Sequence, residues 1–137
     1  MDQKINIVSK APGPEEYLAL RAAAGLSPRQ LAGAKTAMGN SIFAVTLRDT
    51  TDRLIGMGRI IGDGGCFYQI VDIAVHPDYQ GLGYGKVIMS ELMGYLDTHG
   101  QKGALVSLLA DVPADGLYKK FGFEYSAPAS LGMYKRI

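Results

Sequence analysis

An α/β fold over residues 1–137, in which an antiparallel meander runs into a parallel strand–helix–strand crossover within one mixed sheet flanked by helices, is what this sequence predicts. Three observations carry the prediction. Apolar runs of strand length at 42–47, 54–61 and 67–75 are separated by the turn-forming stretches 49–52 and 62–65. A helix-period stretch over 84–99 separates the third run from a buried-type strand at 104–109, and a connection of that length sets its two strands parallel with a right-handed crossover. The length of 137 residues, with 47% hydrophobic and 20% charged, suits one domain with one core.

The elements follow in order. Residues 4–8 alternate polar and apolar side chains before Ala11-Pro12-Gly13-Pro14, a short strand closed by a Pro/Gly turn. Glu15-Glu16 opens a helix through Leu18 and Ala22 that Gly25 stops, and Ser27-Pro28 reads as the cap and first position of a second helix over 29–38. The meander comes next. After Val75 the loop 76–83 leads into the helix at 84–99, with Val87, Ile88, Leu92, Tyr95 and Leu96 on one side and Gly100 as its stop. A short helix at 117–121 ends at Gly122-Phe123, and 133–135 reads as a last strand.

Composition excludes several classes. Fourteen Lys+Arg against thirteen Asp+Glu leave a net charge of +1, so no cationic surplus exists to neutralise a run of phosphates, and no nucleic acid partner is expected. Cys66 stands alone, the first residues lack a signal-like apolar stretch, and no apolar run approaches ~18 residues, so a cytoplasmic protein with no membrane partner is expected. His76 and His99 have no ligand spacing around them, and no metal is expected.

Eighteen glycines are the unusual feature of the composition, and three of them fall in Gln80-Gly81-Leu82-Gly83-Tyr84-Gly85-Lys86. This loop lies between a buried strand and a helix N-terminus, where free N–H groups and the helix dipole favour an anion such as a pyrophosphate. A Walker A loop needs Gly at 80 and Ser or Thr at 87, where Gln80 and Val87 stand, and a dinucleotide fingerprint needs Gly at 86, where Lys86 stands. A ligand-free glycine turn is the plainer alternative. Gln80, Gly83 and Gly85 match the Gln/Arg-x-x-Gly-x-Gly/Ala signature of the GNAT superfamily of acetyl-CoA-dependent N-acetyltransferases. The segment from Ile73 through His76-Pro77-Asp78-Tyr79 to Gly85 resembles that family's strand and loop, and 117–123 resembles its second motif. The resemblance implies acetyl-CoA as cosubstrate. It also implies a GNAT-like domain in which the backbone of Ile73, Ala74 and Val75 pairs with the pantetheine arm, while Gln80, Gly81, Leu82, Gly83, Tyr84, Gly85 and Lys86 hold the phosphates. Pantetheine is peptide-like, and such an arm can add to a strand edge if the two parallel strands diverge.

Acetyl transfer to an amine needs a neutral nitrogen nucleophile, donors for a developing oxyanion and a proton for the leaving thiolate. Tyr118 stands, in its Tyr-x-x-x-Gly-Phe context, where the family carries its general acid and also meets the cofactor's sulfur. The oxyanion donor implied is the backbone N–H of Ile73 or Val75. Many relatives carry Glu-Asp where this chain has Val71-Asp72, which leaves Asp72 as the neighbouring carboxylate. Asp111, seven residues before Tyr118, resembles an Asp…Tyr pair of the plant and bacterial serotonin-type (arylalkylamine) N-acetyltransferases, a subgroup that Gly58-Arg59…Asp63 and Gly132-Met133-Tyr134 also resemble. Asp72 and Asp111 are candidate proton acceptors or ammonium ligands, and equally strand-end or cap residues.

The function expected is direct acetyl transfer from acetyl-CoA to a small primary amine. Acetylation of a protein N-terminus or lysine is the rival among enzymes, and a non-catalytic acyl-CoA sensor is the rival outside them. An exposed sheet edge makes a homodimer an expectation as well.

Overall fold

The computed structural model describes residues 4–137. Strand β1 (Asn6–Val8) is followed by helix α1 (Pro14–Ala23), which starts where a helix with Pro at its first position should, and the Gly13 N–H donates to a Glu16 carboxylate oxygen at 2.8 Å. Helix α2 (Leu31–Ala37) begins later than Ser27-Pro28 suggests, with extended Gln30 as its N-cap. The hydroxyl of Ser27 has other partners: it accepts from Arg21 and Arg29, so the α1–α2 linker is held by guanidinium groups and not by a cap.

The meander forms as β2 (Phe43–Arg48), β3 (Leu54–Gly62) and β4 (Phe67–Val75). After the 3-10 turn Pro77–Tyr79 come α3 (Tyr84–His99), β5 (Leu105–Leu108) and α4 (Asp115–Lys119). The sheet runs β1-β2-β3-β4-β5, antiparallel except for the parallel β4–β5 pair that the α3 crossover requires. Val45, Leu47, Ile55, Ile60, Ile88 and Leu92 are fully buried where α3 lies on the sheet. A Cβ on Gly58 would stand 2.6 Å from Ile88 Cγ2, so the small residue in β3 is what lets α3 approach. A second cluster, with Tyr17, Leu20, Ala34, Met57 and Ala74, seats α1 and α2.

Two irregularities shape the carboxyl end of β4. Met57 pairs with Ala74 and Arg59 with Val71, so one residue of β3 faces two of β4, and the extra residue is taken up at Asp72 with φ +62°. The parallel ladder with β5 runs from Phe67↔Leu105 to Ile70↔Leu108 and stops there, leaving 71–75 without a partner on that side.

The strand expected at 133–135 does not form. The chain passes Leu109 at Gly132, beyond the last residue of β5, and 134–136 run on along the cleft toward Ser27, so 133–135 lie past the β5 edge and not beside it. Among the described residues β5 ends the sheet, with Leu105 exposed on it and Leu109 exposed just past it. Among the described residues no helix is long and apolar enough to cross a membrane.

Candidate active site

Divergence of β4 from β5 opens a cleft of about 780 Å³, lined among others by Arg21, Ile73, Leu108, Asp111, Tyr118 and Tyr134. Its floor is the bulge. Asp72 and Ile73 are the residues that the β3 register skips, and from 71 to 75 the side of β4 that faces the cleft has no β5 strand against it.

The loop from β4 to α3 is braced from within. The His76 N–H donates to the Ile55 carbonyl at 2.8 Å, the Asp78 N–H donates to His76 Nδ1 at 3.1 Å, and Gln80 Nε2 donates to the Val75 carbonyl at 2.8 Å. The Gln80 side chain is thus a clasp that fixes the loop against the strand. Gly81 and Gly83 adopt φ +78° and +88°, a left-handed conformation costly for residues with a Cβ, and a Cβ on either would meet open space. Gly83 is the N-cap of α3 and offers no side-chain cap, and the Val87 N–H to Gly83 carbonyl bond at 3.2 Å is the first of the helix. The N–H groups of Tyr84, Gly85 and Lys86 precede that bond and lack intrahelical acceptors. Leu82 is exposed, Lys86 is exposed, and Tyr84 packs near Tyr79 with ring centroids 6.3 Å apart. This donor-lined, sterically open cradle fits a pyrophosphate.

Tyr118 projects from α4 into the cleft and is 8% exposed. Burial, and then the negative charge of Asp111, raise its phenol above the ordinary tyrosine range, and no hydrogen bond from the described residues occupies the hydroxyl. It therefore carries its proton at neutral pH, with that proton uncommitted. Asp111 itself is exposed, three residues beyond β5, and its carbonyl accepts from the Ala114 N–H at 2.7 Å.

Asp72 is in a different situation. Its carboxylate accepts from Arg21 Nη1 at 2.5 Å, Arg59 Nε at 2.8 Å and Tyr17 Oη at 2.9 Å, with the Arg21, Arg59 and Asp72 side chains all less than a tenth exposed. Burial, followed by the Asp72 charge and hydrogen bond, pushes the Tyr17 phenol up, so it stays a donor to that carboxylate. Arg59 reaches on to the Ala37 carbonyl and Ser41 Oγ, and Arg21 to the Ser27 carbonyl. Three of about four acceptor sites of Asp72 are thereby filled, and the group ties the bulge to α1, α2 and β3. Sequence reasoning missed Tyr17 and Arg21. Their i, i+4 spacing on one helix face was the available signal. Asp72→Asn removes one charge from between two buried arginines and should cost about 3–5 kcal/mol in urea unfolding. Asp111→Asn, on an exposed side chain, should stay within about 0.5 kcal/mol.

Residues 39–125 match the acetyltransferase (GNAT) domain family. An uncharacterised N-acetyltransferase of Pyropia yezoensis, ycf52, is 33% identical over 113 residues, covering 80% of this chain and 64% of that protein. The chloroplastic serotonin N-acetyltransferase 2 of Oryza sativa subsp. japonica is 32% identical over 81 residues, 59% of this chain and 40% of that protein. This chain thus spans less than two thirds of the length of these relatives. A crystal structure of a protein of unknown function from meticillin-resistant Staphylococcus aureus, described as a probable acetyltransferase, is 48% identical and superposes with a TM-score of 0.93 over 98% of this chain and 100% of that one.

Proposed function

This chain belongs to the acetyltransferase (GNAT) family, and from that premise we propose that it transfers the acetyl group of acetyl-CoA directly to the nitrogen of a small amine, without an acyl-enzyme. The observation that carries the reading is the uncommitted, protonated phenol of Tyr118 in the cleft where β4 leaves β5, a cleft that it lines together with Ile73 on the stretch of β4 that has no β5 partner.

Acetyl-CoA supplies the activated acetyl thioester. On this chain, the N–H groups at the start of α3 and the open backbone of Gly81 and Gly83 hold the pyrophosphate. The free edge of 71–75 offers main-chain groups to the pantetheine amides. A main-chain N–H of β4 at or just beyond the bulge, that of Ile73 or Val75, meets the negative charge that develops on the acetyl oxygen. Tyr118 gives its proton to the departing sulfur as the carbon–sulfur bond breaks, and the nitrogen that forms the new amide bond releases one proton in exchange. The amine that enters as an ammonium has two protons to lose: Asp111 holds the ammonium and takes the first, which leaves the neutral nitrogen that attacks, and the second is the one released on amide formation that replaces the proton Tyr118 gave to sulfur. Asp72, already bonded to Arg21, Arg59 and Tyr17, acts by fixing the bulge.

A screen of free amines and of peptides against acetyl-CoA, read by thiol release, tests this reading. Thiol release with peptides alone would transfer it to a protein acceptor, and binding of acetyl-CoA without release on any acceptor would make the protein a sensor. For the accepted amine, Asp111→Asn should raise KM roughly 10-fold or more while KM for acetyl-CoA hardly moves, because the lost charge-assisted hydrogen bond serves one substrate only. Equal rises in both KM values would remove Asp111 from the acceptor site.

A further inference from the structure

The wall of the cleft formed by the α1–α2 linker gathers an unusual number of cations around one small group. Ser27 Oγ accepts from Arg29 Nη1 at 2.8 Å and Arg21 Nη2 at 3.2 Å, and Arg136 Nη1 lies 3.4 Å away. A hydroxyl oxygen has two lone pairs, so three guanidinium donors exceed what it can accept, and the longest contact, that of Arg136, is the surplus one. Arg21 has a counter-ion in Asp72, which it shares with Arg59. Arg29 and Arg136 pair with no carboxylate among the described residues. Among the described residues Arg29 otherwise reaches only the Pro28 carbonyl at 3.0 Å, and Arg136 lies over the Tyr134 ring at 5.5 Å. Three like charges converging on a neutral oxygen repel one another, and an anion seated between them turns that repulsion into attraction.

The same cleft carries the reacting end of the site. Its lining includes Arg21, Arg29, Lys135 and Arg136 against only Asp72 and Asp111, and Asp72 is already neutralised by buried arginines. The one carboxylate left, Asp111, stands near Tyr118. The cleft is therefore bipolar, anionic at the acyl-transfer end and cationic at the linker. A simple monoamine or a diamine complements only the first half. Guanidinium forks match the planar or tripodal oxygens of a carboxylate or a phosphate.

We propose that the acceptor is an amine that also bears an anionic group, a carboxylate or a phosphate, which Arg29 and Arg136 bind beside Ser27 while the amine lies at Asp111 and Tyr118. This rests on the acetyltransferase reading above and narrows its substrate class. Arg29 and Arg136 are exposed, so replacing them removes the charge without opening the core.

The experiment compares matched amines in thiol-release kinetics: an amino acid with its decarboxylated amine, and O-phosphoethanolamine with ethanolamine. At least one anionic member should exceed its neutral counterpart in kcat/KM by about tenfold or more, and which pair shows it tells carboxylate from phosphate. The Arg29→Gln/Arg136→Gln double variant should reduce that preference by at least about tenfold, through KM for the anionic amine. A preference for the neutral member in both pairs, or a preference that survives the double substitution, overturns the proposal. Calorimetric titration of the same anionic amines onto protein saturated with CoA reads the anion site without turnover. Binding that the double variant loses supports the site even if no thiol is released, which would instead count against the acetyltransferase reading. No binding of either anionic amine by the unsubstituted protein overturns it.

Discussion

Tyr118→Phe is expected to lower turnover by roughly 10²–10⁴-fold, the range that loss of a positioned general acid gives, with acetyl-CoA affinity nearly unchanged. The ring contributes to the core against α3, and phenylalanine keeps that packing. What is lost is one hydroxyl that burial and the Asp111 charge keep protonated and that no described neighbour engages. Because the phenol serves only the departing sulfur, the loss belongs in the chemical step, and single-turnover kinetics with saturating amine should show it in full. A reduction of less than about threefold would make Tyr118 a packing residue, with water supplying the proton. The pH dependence has a definite sign. A phenol raised above its ordinary value is an acid at neutral pH, so the activity it supports persists through the neutral range and is lost only as pH rises through that raised value.

Where local chemistry sets structure, the sequence was a sound guide. The turn residues 49–52 and 62–65 delimit the meander, and the 84–99 period gives α3 to the residue, because both depend on neighbours within a few positions. The loop Gln80 to Lys86 was legible for the same reason: left-handed positions and a helix start demand glycine locally. Three features were hidden by their long-range causes. Ser27 looks like a cap in sequence, yet arginines at 21 and 29 claim it. Asp72 reads from its place beside Val71 as either a proton acceptor or a strand-end residue, and the partners that decide its role sit 13 to 55 positions away, at Arg59, Arg21 and Tyr17. The segment 133–135 has strand composition, and no propensity makes a strand without a neighbour to complete its ladder. The end of the β4–β5 ladder at Ile70↔Leu108 belongs to the same class, since divergence of two strands is a property of the sheet and not of either run.

Gly83→Glu should abolish measurable acetyl-CoA binding in calorimetry, with Kd raised by at least about 10²-fold, while the circular dichroism spectrum stays that of the folded protein. Two effects have to be separated. At φ +88° any side chain carries a left-handed penalty of about 1–2 kcal/mol, which the fold can bear because nothing lies within 4 Å of the new Cβ. Gly83→Ala isolates that penalty, and it should weaken binding far less. The remainder is electrostatic. The introduced carboxylate would lie at the N–H groups that open α3, where the helix dipole favours an anion, and would occupy or repel the place of the pyrophosphate. Raising ionic strength should recover little, because the competitor is covalently attached and reaches the N–H groups at close range. If Gly83→Glu binds acetyl-CoA as tightly as the unsubstituted protein, the pyrophosphate does not lie on this loop, and the glycines at 81 and 83 serve only to turn the chain from β4 into α3.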